Sequence, residues 1–218
     1  MGSIAACIVV SMRTRIPDAT VARLPIYLRC LAIREGTGTC SSRDLAQTAG
    51  VNAAQVRKDL SFLDAHGIRG VGYNIDELRI QVRKALGLTH AFPIVIVGAG
   101  DLGRALANYG GFAEWGFSVA AILDVDARKI GSRIGETSVE SMDDLETIVD
   151  ERDIQIGIVA TPARHAQTAA ERLNAAGVRS ILNFAPTVLS VPDAEIRRVD
   201  LSTELQILAY HLQERTGD

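Results

Sequence analysis

The sequence predicts an α/β chain in two parts, a helical front half and a doubly wound parallel sheet behind it. Three observations carry that reading. Short helical patterns with polar caps fill residues 16–88, and the apolar strand Pro93-Ile94-Val95-Ile96-Val97 runs directly into Gly98-Ala99-Gly100-Asp101-Leu102-Gly103. Further β-branched runs then alternate with helical patterns as far as residue 199. A chain of 218 residues is long for one small domain and right for two, each with its own core.

A net charge of −3 argues by itself against a nucleic-acid partner, yet the charge is unevenly placed. Residues 1–90 carry 12 Lys and Arg against 7 Asp and Glu, whereas residues 91–218 carry 11 against 19. Any electrostatic footprint for DNA is therefore confined to the front. Cys7, Cys30 and Cys40 show neither metal-ligand spacing nor an even disulfide set, which fits a reducing cytoplasm. They read as small buried hydrophobes, with a Cys30–Cys40 redox bond as the alternative. The apolar run Ile4 to Val10 is too short to span a bilayer, and its basic residues follow it, where a signal peptide needs them in front. Residues 1–15 read as a disordered arm or as a start placed too early, since Met12 opens the stretch that reads as a protein.

In the front half, Pro17-Asp18-Ala19-Thr20 caps a helix that continues through Leu24, Ile26, Leu28 and Leu31 to the breakers Gly36 and Gly38. Ser41 and Ser42 cap a short second helix, Arg43 to Ala49, which stops at Gly50, where a positive φ suits a tight turn. Asn52 caps a third helix whose Val56, Leu60 and Leu63 face a core. Ala46, Gly50 and Val51 supply the small residue, turn glycine and apolar plug of a helix-turn-helix. The opposite face of the third helix carries Gln55, Arg57, Lys58 and Ser61. Arg and Lys suit guanine edges or phosphates, Gln suits adenine and Ser suits a phosphate, so this face is predicted to enter a major groove. A plain solvated face has similar composition; the preceding turn separates the two. Residues 66–74 then form a glycine-rich ribbon with Arg69 near its tip, the wing of a winged helix-turn-helix, placed for a narrow minor groove. Ile75 to Leu86 reads as a connector helix closed by Gly87.

In the rear half the glycine triplet sits between strand and helix. There the first glycine makes the turn, the second lets backbone amides approach a pyrophosphate, and the third permits close helix–strand packing. The helix it opens is predicted to end near Trp115-Gly116. The strand Ser118 to Leu123 ends at Asp124, placed to accept from a ribose 2′-OH and to repel a 2′-phosphate, which selects NAD(H). This is a Rossmann-type pattern. Further strands at Ile154 to Val159 and Val178 to Leu182 end in Thr161-Pro162 and Asn183-Phe184, positions that line either a ligand or structural turns. Tyr109, Asp126 and Lys129 are available for binding.

Nothing resembles a catalytic or metal-binding set: His165 is a lone helical histidine without a carboxylate partner in sequence. After Val199, Asp200 caps a terminal helix with Leu201, Leu205, Leu208 and Leu212 in one stripe, widened by Ile207 and Ala209. It either folds back onto its own domain or serves as a dimer element exchanged between subunits. The pattern divides the chain into an N-terminal extension (1–15), a winged-helix DNA-binding domain (16–88), a Rossmann NAD(H)-binding domain (89–199) and a C-terminal dimerisation helix (200–218). Its simplest function is a transcription factor whose ligand is a redox cofactor. The rivals are an NAD-dependent oxidoreductase, a CoA-ligase-like subunit, and a DNA-binding protein with a vestigial Rossmann module.

From Ile16 to about Leu212 the chain resembles the Rex family of redox-sensing transcriptional repressors. The resemblance rests on Pro17-Asp18-Ala19-Thr20, Tyr27-Leu28-Arg29, Gln55-Val56-Arg57-Lys58-Asp59-Leu60-Ser61, Arg69-Gly70-Val71-Gly72-Tyr73, the glycine fingerprint, Asp124-Val125-Asp126 and Ile181-Leu182-Asn183-Phe184-Ala185-Pro186. It implies a cytoplasmic homodimer joined by a domain-swapped C-terminal helix, with no membrane association. Such a dimer binds palindromic operators of respiratory and fermentative genes and is released when NADH, rather than NAD+, is bound. The resemblance puts Arg57 and Lys58 on operator DNA with Arg69 and Gly70 in the wing, and together with the residue reading the expected DNA-binding set is Ser42, Gln55, Arg57, Lys58, Ser61, Arg69, Gly70 and Tyr73. The implied cofactor set is Gly98 to Gly103, with Ala99, Gly100, Asp101 and Leu102 between them, together with Asp124, Lys129, Thr161, Pro162, Asn183 and Phe184. It also implies a switch in which Arg29 of one subunit pairs with Asp200 in the DNA-binding state and Tyr109 approaches Asp200 in the NADH state. Leu201 stands where one relative has an aromatic residue near the nicotinamide, so ring stacking is not expected there and an apolar contact is the alternative left open.

Overall fold

The computed structural model describes residues 15–33, 38–63 and 65–216, and the chain divides into two units between Thr89 and His90. The expectations for the N-terminal arm, Cys7 and the breaker Gly36 lie outside the described residues.

The first unit holds α1 (Asp18–Ile33), β1 (Thr39–Cys40), α2 (Ser42–Ala49), α3 (Ala53–Ser61), β2 (Tyr73–Asn74) and α4 (Ile75–Ala85). α1 runs through Pro25, which lies on an exposed face, while Leu24, Tyr27, Leu28 and Leu31 bury the opposite one. Ile26 is exposed, because two residues beyond Leu24 the helix has turned by about 200°. A capping box between Ser41 and Asp44 starts α2, Gly50 ends it at φ +66°, and the Asn52 side chain caps α3 by accepting from the Gln55 amide at 2.8 Å. Val56 and Leu60 are fully buried, whereas Leu63 lies past the end of α3 and is half-buried.

The 66–74 ribbon closes through an antiparallel bridge between Ile68 and Gly72, and its β2 end pairs with β1, a two-residue strand that the sequence pattern does not reveal. Gly72 is obligatory at that seam. Its φ is +106°, and a Cβ there would stand 2.4 Å from the Cys40 carbonyl oxygen.

α1 and α3 are also joined by a buried carboxylate. Asp59 accepts from Thr20 Oγ1 (2.9 Å), Arg23 Nε (2.6 Å) and Nη2 (2.8 Å), Tyr27 Oη (2.7 Å) and Gln55 Nε2 (2.9 Å). Burial alone would raise its pKa, but the hydrogen bonds from Arg23, Tyr27, Gln55 and Thr20 outweigh burial and hold it well below the usual carboxylate range.

The second unit holds β3 (Phe92–Val97), α5 (Asp101–Ala107), α6 (Gly111–Glu114), β4 (Phe117–Asp124), β5 (Arg133–Ile134), β6 (Thr137–Ser141), α7 (Leu145–Glu151), β7 (Ile156–Val159), α8 (Ala163–Ala175), β8 (Ser180–Asn183), β9 (Glu195–Arg198) and α9 (Leu201–Thr216). The sheet order is β5-β6-β4-β3-β7-β8-β9, and every pairing but β5–β6 is parallel. Order reverses between β3 and β7, the point at which a doubly wound sheet opens a ligand crevice. Val95, Val97, Leu123 and Val159 pack with α7 and α8 on one face, and Ile94, Ile96 and Ile158 pack with Leu106 and Phe112 on the other. The single helix expected after the fingerprint is broken into α5 and α6 across Asn108 to Gly110, where consecutive glycines follow Tyr109. β8 starts two residues later than expected, and β5, β6, α7 and β9 are additions to the pattern read from the sequence.

α9 leaves its stripe uncovered: Leu201, Leu205, Leu208 and Leu212 are 64, 66, 62 and 64% exposed. No described helix is long and apolar enough to cross a membrane.

Asp59→Ala is expected to destabilise the first unit by about 3 kcal/mol near neutral pH, because it strands the Arg23 guanidinium and the Tyr27 hydroxyl. A carboxylate whose folded pKa is depressed stabilises above its unfolded value of about 4, and that contribution is lost as pH falls. Denaturant titrations of both proteins at pH 7 and pH 3 therefore show a stability difference that narrows at the lower pH.

Candidate nucleic-acid interface and nucleotide cleft

On α3, the caps and buried Val56 and Leu60 turn Arg57, Lys58 and Ser61 to solvent. Arg57 Nη1 donates to Ser42 Oγ at 3.1 Å, bringing together two residues expected on the DNA side. Ser61 Oγ donates to the Lys58 carbonyl at 2.7 Å. Gln55 is half-buried, and its amide donates inward to Asp59. Arg69 and Gly70 are exposed at the wing tip, where Gly70 adopts φ +82°. Tyr73 departs from its expected surface position. It is buried, its ring lies where a Cβ on Gly67 would come within 3.0 Å, and burial pushes its phenol pKa up. Packing the wing is its part.

In the second unit a cleft of about 440 Å³ opens beyond the carboxyl ends of β3, β4 and β7. Val97, Gly98, Gly100, Asp124, Val125, Asp126, Lys129, Thr161 and Pro162 line it, Arg164, His165 and Arg172 extend it along α8, and Met142, just after β6, adds to its wall. The three fingerprint glycines differ in what surrounds them. Gly98 has φ +107° and a Cβ there would lie 2.6 Å from the Ala160 carbonyl oxygen, while a Cβ on Gly103 would lie 1.8 Å from that of Gly98. Both are sealed against backbone. Gly100 has nothing within 4 Å of its would-be Cβ and faces the cleft, so only there does the loop leave room for a ligand's approach.

Asp124, at the end of β4, is buried. It accepts from the Ala99 amide (2.8 Å), the Asp126 amide (2.9 Å) and Lys129 Nζ (2.8 Å). Burial opposes its ionisation, but these donors, Lys129 first, lower its pKa. A carboxylate offers about four acceptor sites, so one stays open for a hydroxyl. Thr161 Oγ1 is buried with no hydrogen-bond partner among the described residues. A buried orphan at the mouth of a crevice fits a ligand that supplies its partner. Glycine cradle, ribose-type acid and orphan hydroxyl together fit a dinucleotide.

Asn183 and Phe184 are built into the protein instead. Asn183 donates to the Thr187 carbonyl and accepts from the Ala185 amide, both at 2.9 Å, and Phe184 packs on the Ile94–Ile158 cluster. Of the fingerprint's other members, Asp101 and Leu102 are exposed and Ala99 is buried. Arg29 is exposed, and Tyr109 is 56% exposed, meeting Phe112 edge-on at 5.1 Å. Asp200 accepts from the Ser202 amide at 3.0 Å, from its hydroxyl at 2.5 Å and from Arg198, and these hold its pKa down to about 2. The sequence does not reveal the Asp59 network or the place of Arg172, and His165, read there as a lone helical histidine, lines the cleft. Asp59 was visible only as one more charge in a basic run, whereas the start of α8 directly after Thr161-Pro162 was a usable signal for His165.

A family model described as a CoA binding domain matches residues 89–187, and one described as a putative DNA-binding protein N-terminus matches residues 15–61. The chain is 55% identical over 206 residues to the redox-sensing transcriptional repressor Rex of Streptomyces avermitilis, covering 93% of this chain and 82% of that protein. It is 50% identical to the Rex of Carboxydothermus hydrogenoformans, covering 91% of this chain and 97% of that one. Among solved structures it is similar to RSP in complex with β-NAD+ and operator DNA, with a TM-score of 0.85 and 37% identity over 93% of this chain and 95% of that one. The same protein in complex with β-NADH gives a TM-score of 0.82 over 93% of this chain and 97% of that one, at 37% identity. Identity of this degree across nearly the whole length shows that the chain belongs to the Rex family of redox-sensing transcriptional repressors.

Proposed function

We propose that this chain represses respiratory and fermentative genes in the cytoplasm by binding palindromic operator DNA as a homodimer, and that it lets go when its cleft takes up NADH. The observation that carries the nucleotide half is Gly100, the one fingerprint glycine open to ligand, beside a buried carboxylate. Asp124 accepts from the adenosine ribose and disfavours a 2′-phosphate, so the cofactor is NAD(H). Lys129 steadies that carboxylate, and Thr161 offers its hydroxyl to the cofactor. The reduced form brings an uncharged dihydronicotinamide, whose entry into an apolar pocket avoids desolvating the positive ring of NAD+.

On the DNA side, Arg57 and Lys58 contact the major groove, Ser42 and Ser61 support phosphate contacts, and Arg69 and Gly70 enter the adjacent minor groove. The stripe of α9 supports an exchange of terminal helices between subunits, because Leu201, Leu205 and Leu208 stay 64, 66 and 62% exposed in one chain. Successive major-groove half-sites lie about 34 Å apart, so a modest change in the spacing of two α3 helices releases the operator. Asp200 supports a switch role: its partners Arg198 and Ser202 are exposed and local, so an exchange to Arg29 of the other subunit or to Tyr109 displaces only weak surface contacts. Moving such a switch from 1:99 to 99:1 takes roughly 5.5 kcal/mol of differential affinity.

Gly100→Val should leave the fold and operator binding intact while abolishing release by NADH, because the new side chain fills cleft rather than core. Arg57→Ala should weaken operator binding by roughly 1–3 kcal/mol with nucleotide affinity unchanged. Gel shifts with labelled operator, NADH and NAD+ read both outcomes, and equal release by the two nucleotides would defeat redox sensing. Deleting residues 201–218 should convert the dimer to monomer by light scattering and remove operator binding at the same protein concentration.

A further inference from the structure

The helix assigned to base recognition carries a glutamine whose amide is tied to a buried carboxylate. Gln55 lies on the same helix as Arg57 and Lys58, and glutamine on such a helix ordinarily suggests adenine recognition. Reading adenine takes the whole amide edge, N–H and carbonyl together, presented to the base. Here Gln55 Nε2 donates to Asp59 Oδ1 at 2.9 Å, one turn along the helix, and the side chain is half-buried. Asp59 is itself fully buried and also takes donors from Thr20, Arg23 and Tyr27 of α1. The amide is thus the α3 contribution to a network whose other donors belong to the neighbouring helix.

Resting on the DNA-binding reading above, we propose that Gln55 and Asp59 are positioning residues that fix how α3 is rotated on α1. Base discrimination by this helix then falls to Arg57 and Lys58. The rotation matters because Arg57 and Lys58 occupy the two positions just before Asp59. A carboxylate anchored by donors from four side chains holds the helix about its long axis, which apolar contact by Val56 and Leu60 does less sharply, since such packing is non-directional. With one N–H of that amide tied to Asp59, the charged donors fully exposed on this face are a guanidinium and an ammonium, which match the paired acceptors of guanine.

The experiment uses the full-length chain and a palindromic duplex that the wild-type protein itself selects from a randomised pool, together with every single-base variant of one half-site. Fluorescence anisotropy then compares wild type, Gln55→Met, Arg57→Ala and the double variant. Methionine keeps the length and helix propensity of glutamine without its donor, so folding is preserved, and Asp59→Asn, checked for a cooperative melt, provides a second probe of the same network. Gln55→Met is expected to weaken every duplex by the same factor, roughly three- to tenfold, leaving their ranking unchanged. That loss shrinks once Arg57 is already Ala, a coupling that a purely structural role would not produce. Selective relaxation at one A·T pair, about fivefold or more, makes Gln55 a base reader and overturns the proposal. An undiminished loss in the Arg57→Ala background overturns it as well. A wild-type chain that selects no duplex overturns the DNA-binding reading itself, a result distinct from the other two.

Discussion

The front unit depends on one buried negative charge. An isolated carboxylate in a core costs several kcal/mol, and Asp59 is tolerable there only because a guanidinium, two hydroxyls and an amide all point at it. Those donors come from both helices that must meet, so the cost of burial is offset only when α1 and α3 meet in one arrangement. Leucine and valine packing alone accepts neighbouring arrangements at little loss. The polar network thereby converts a generic three-helix cluster into a unit with one defined outer face, and the capping residues Ser41 and Asn52 and the turn at Gly50 deliver α3 to that network at the right angle.

The rear unit relies on a steric constraint rather than an electrostatic one. Gly98 and Gly103 let the loop and the start of α5 press against neighbouring backbone, and that closeness leaves Gly100 at an opening instead of in the packing. Asp124 ties the same loop down by accepting from the Ala99 amide, so the loop that would meet a pyrophosphate and the acid that would meet a ribose are bonded to each other. The parallel strands beneath, buried on both faces, supply the rigid floor.

Much of this was legible in the chain. Helix boundaries in the front unit follow from residues with local jobs, Ser41, Gly50 and Asn52, whose preferences need no tertiary context. The glycine fingerprint could be read for the same reason, since strand, turn and helix are contiguous. What stayed hidden depends on partners far away in sequence. Thr39 and Cys40 form a strand only because Tyr73 and Asn74 lie beside them. β9, with the sequence Glu195-Ile196-Arg197-Arg198, has too little apolar character to announce itself and is specified by its pairing with β8. Asp59, Gln55 and Tyr73 look like surface residues on composition; their burial is decided by donors on α1 and by the ring-sized space at Gly67. Asn183 ends a strand at the crevice, a position equally open to a ligand or a structural turn in the sequence, and its own turn uses both ends of its amide.

The bare leucines of α9 have a kinetic corollary. If their shelter comes from a second copy, maturation is a second-order event, and newly made chains at low abundance keep a greasy helix in water while they wait for a mate. The regulator then has a threshold set by its own dosage, beneath which promoters go unguarded whatever the redox state of the cell.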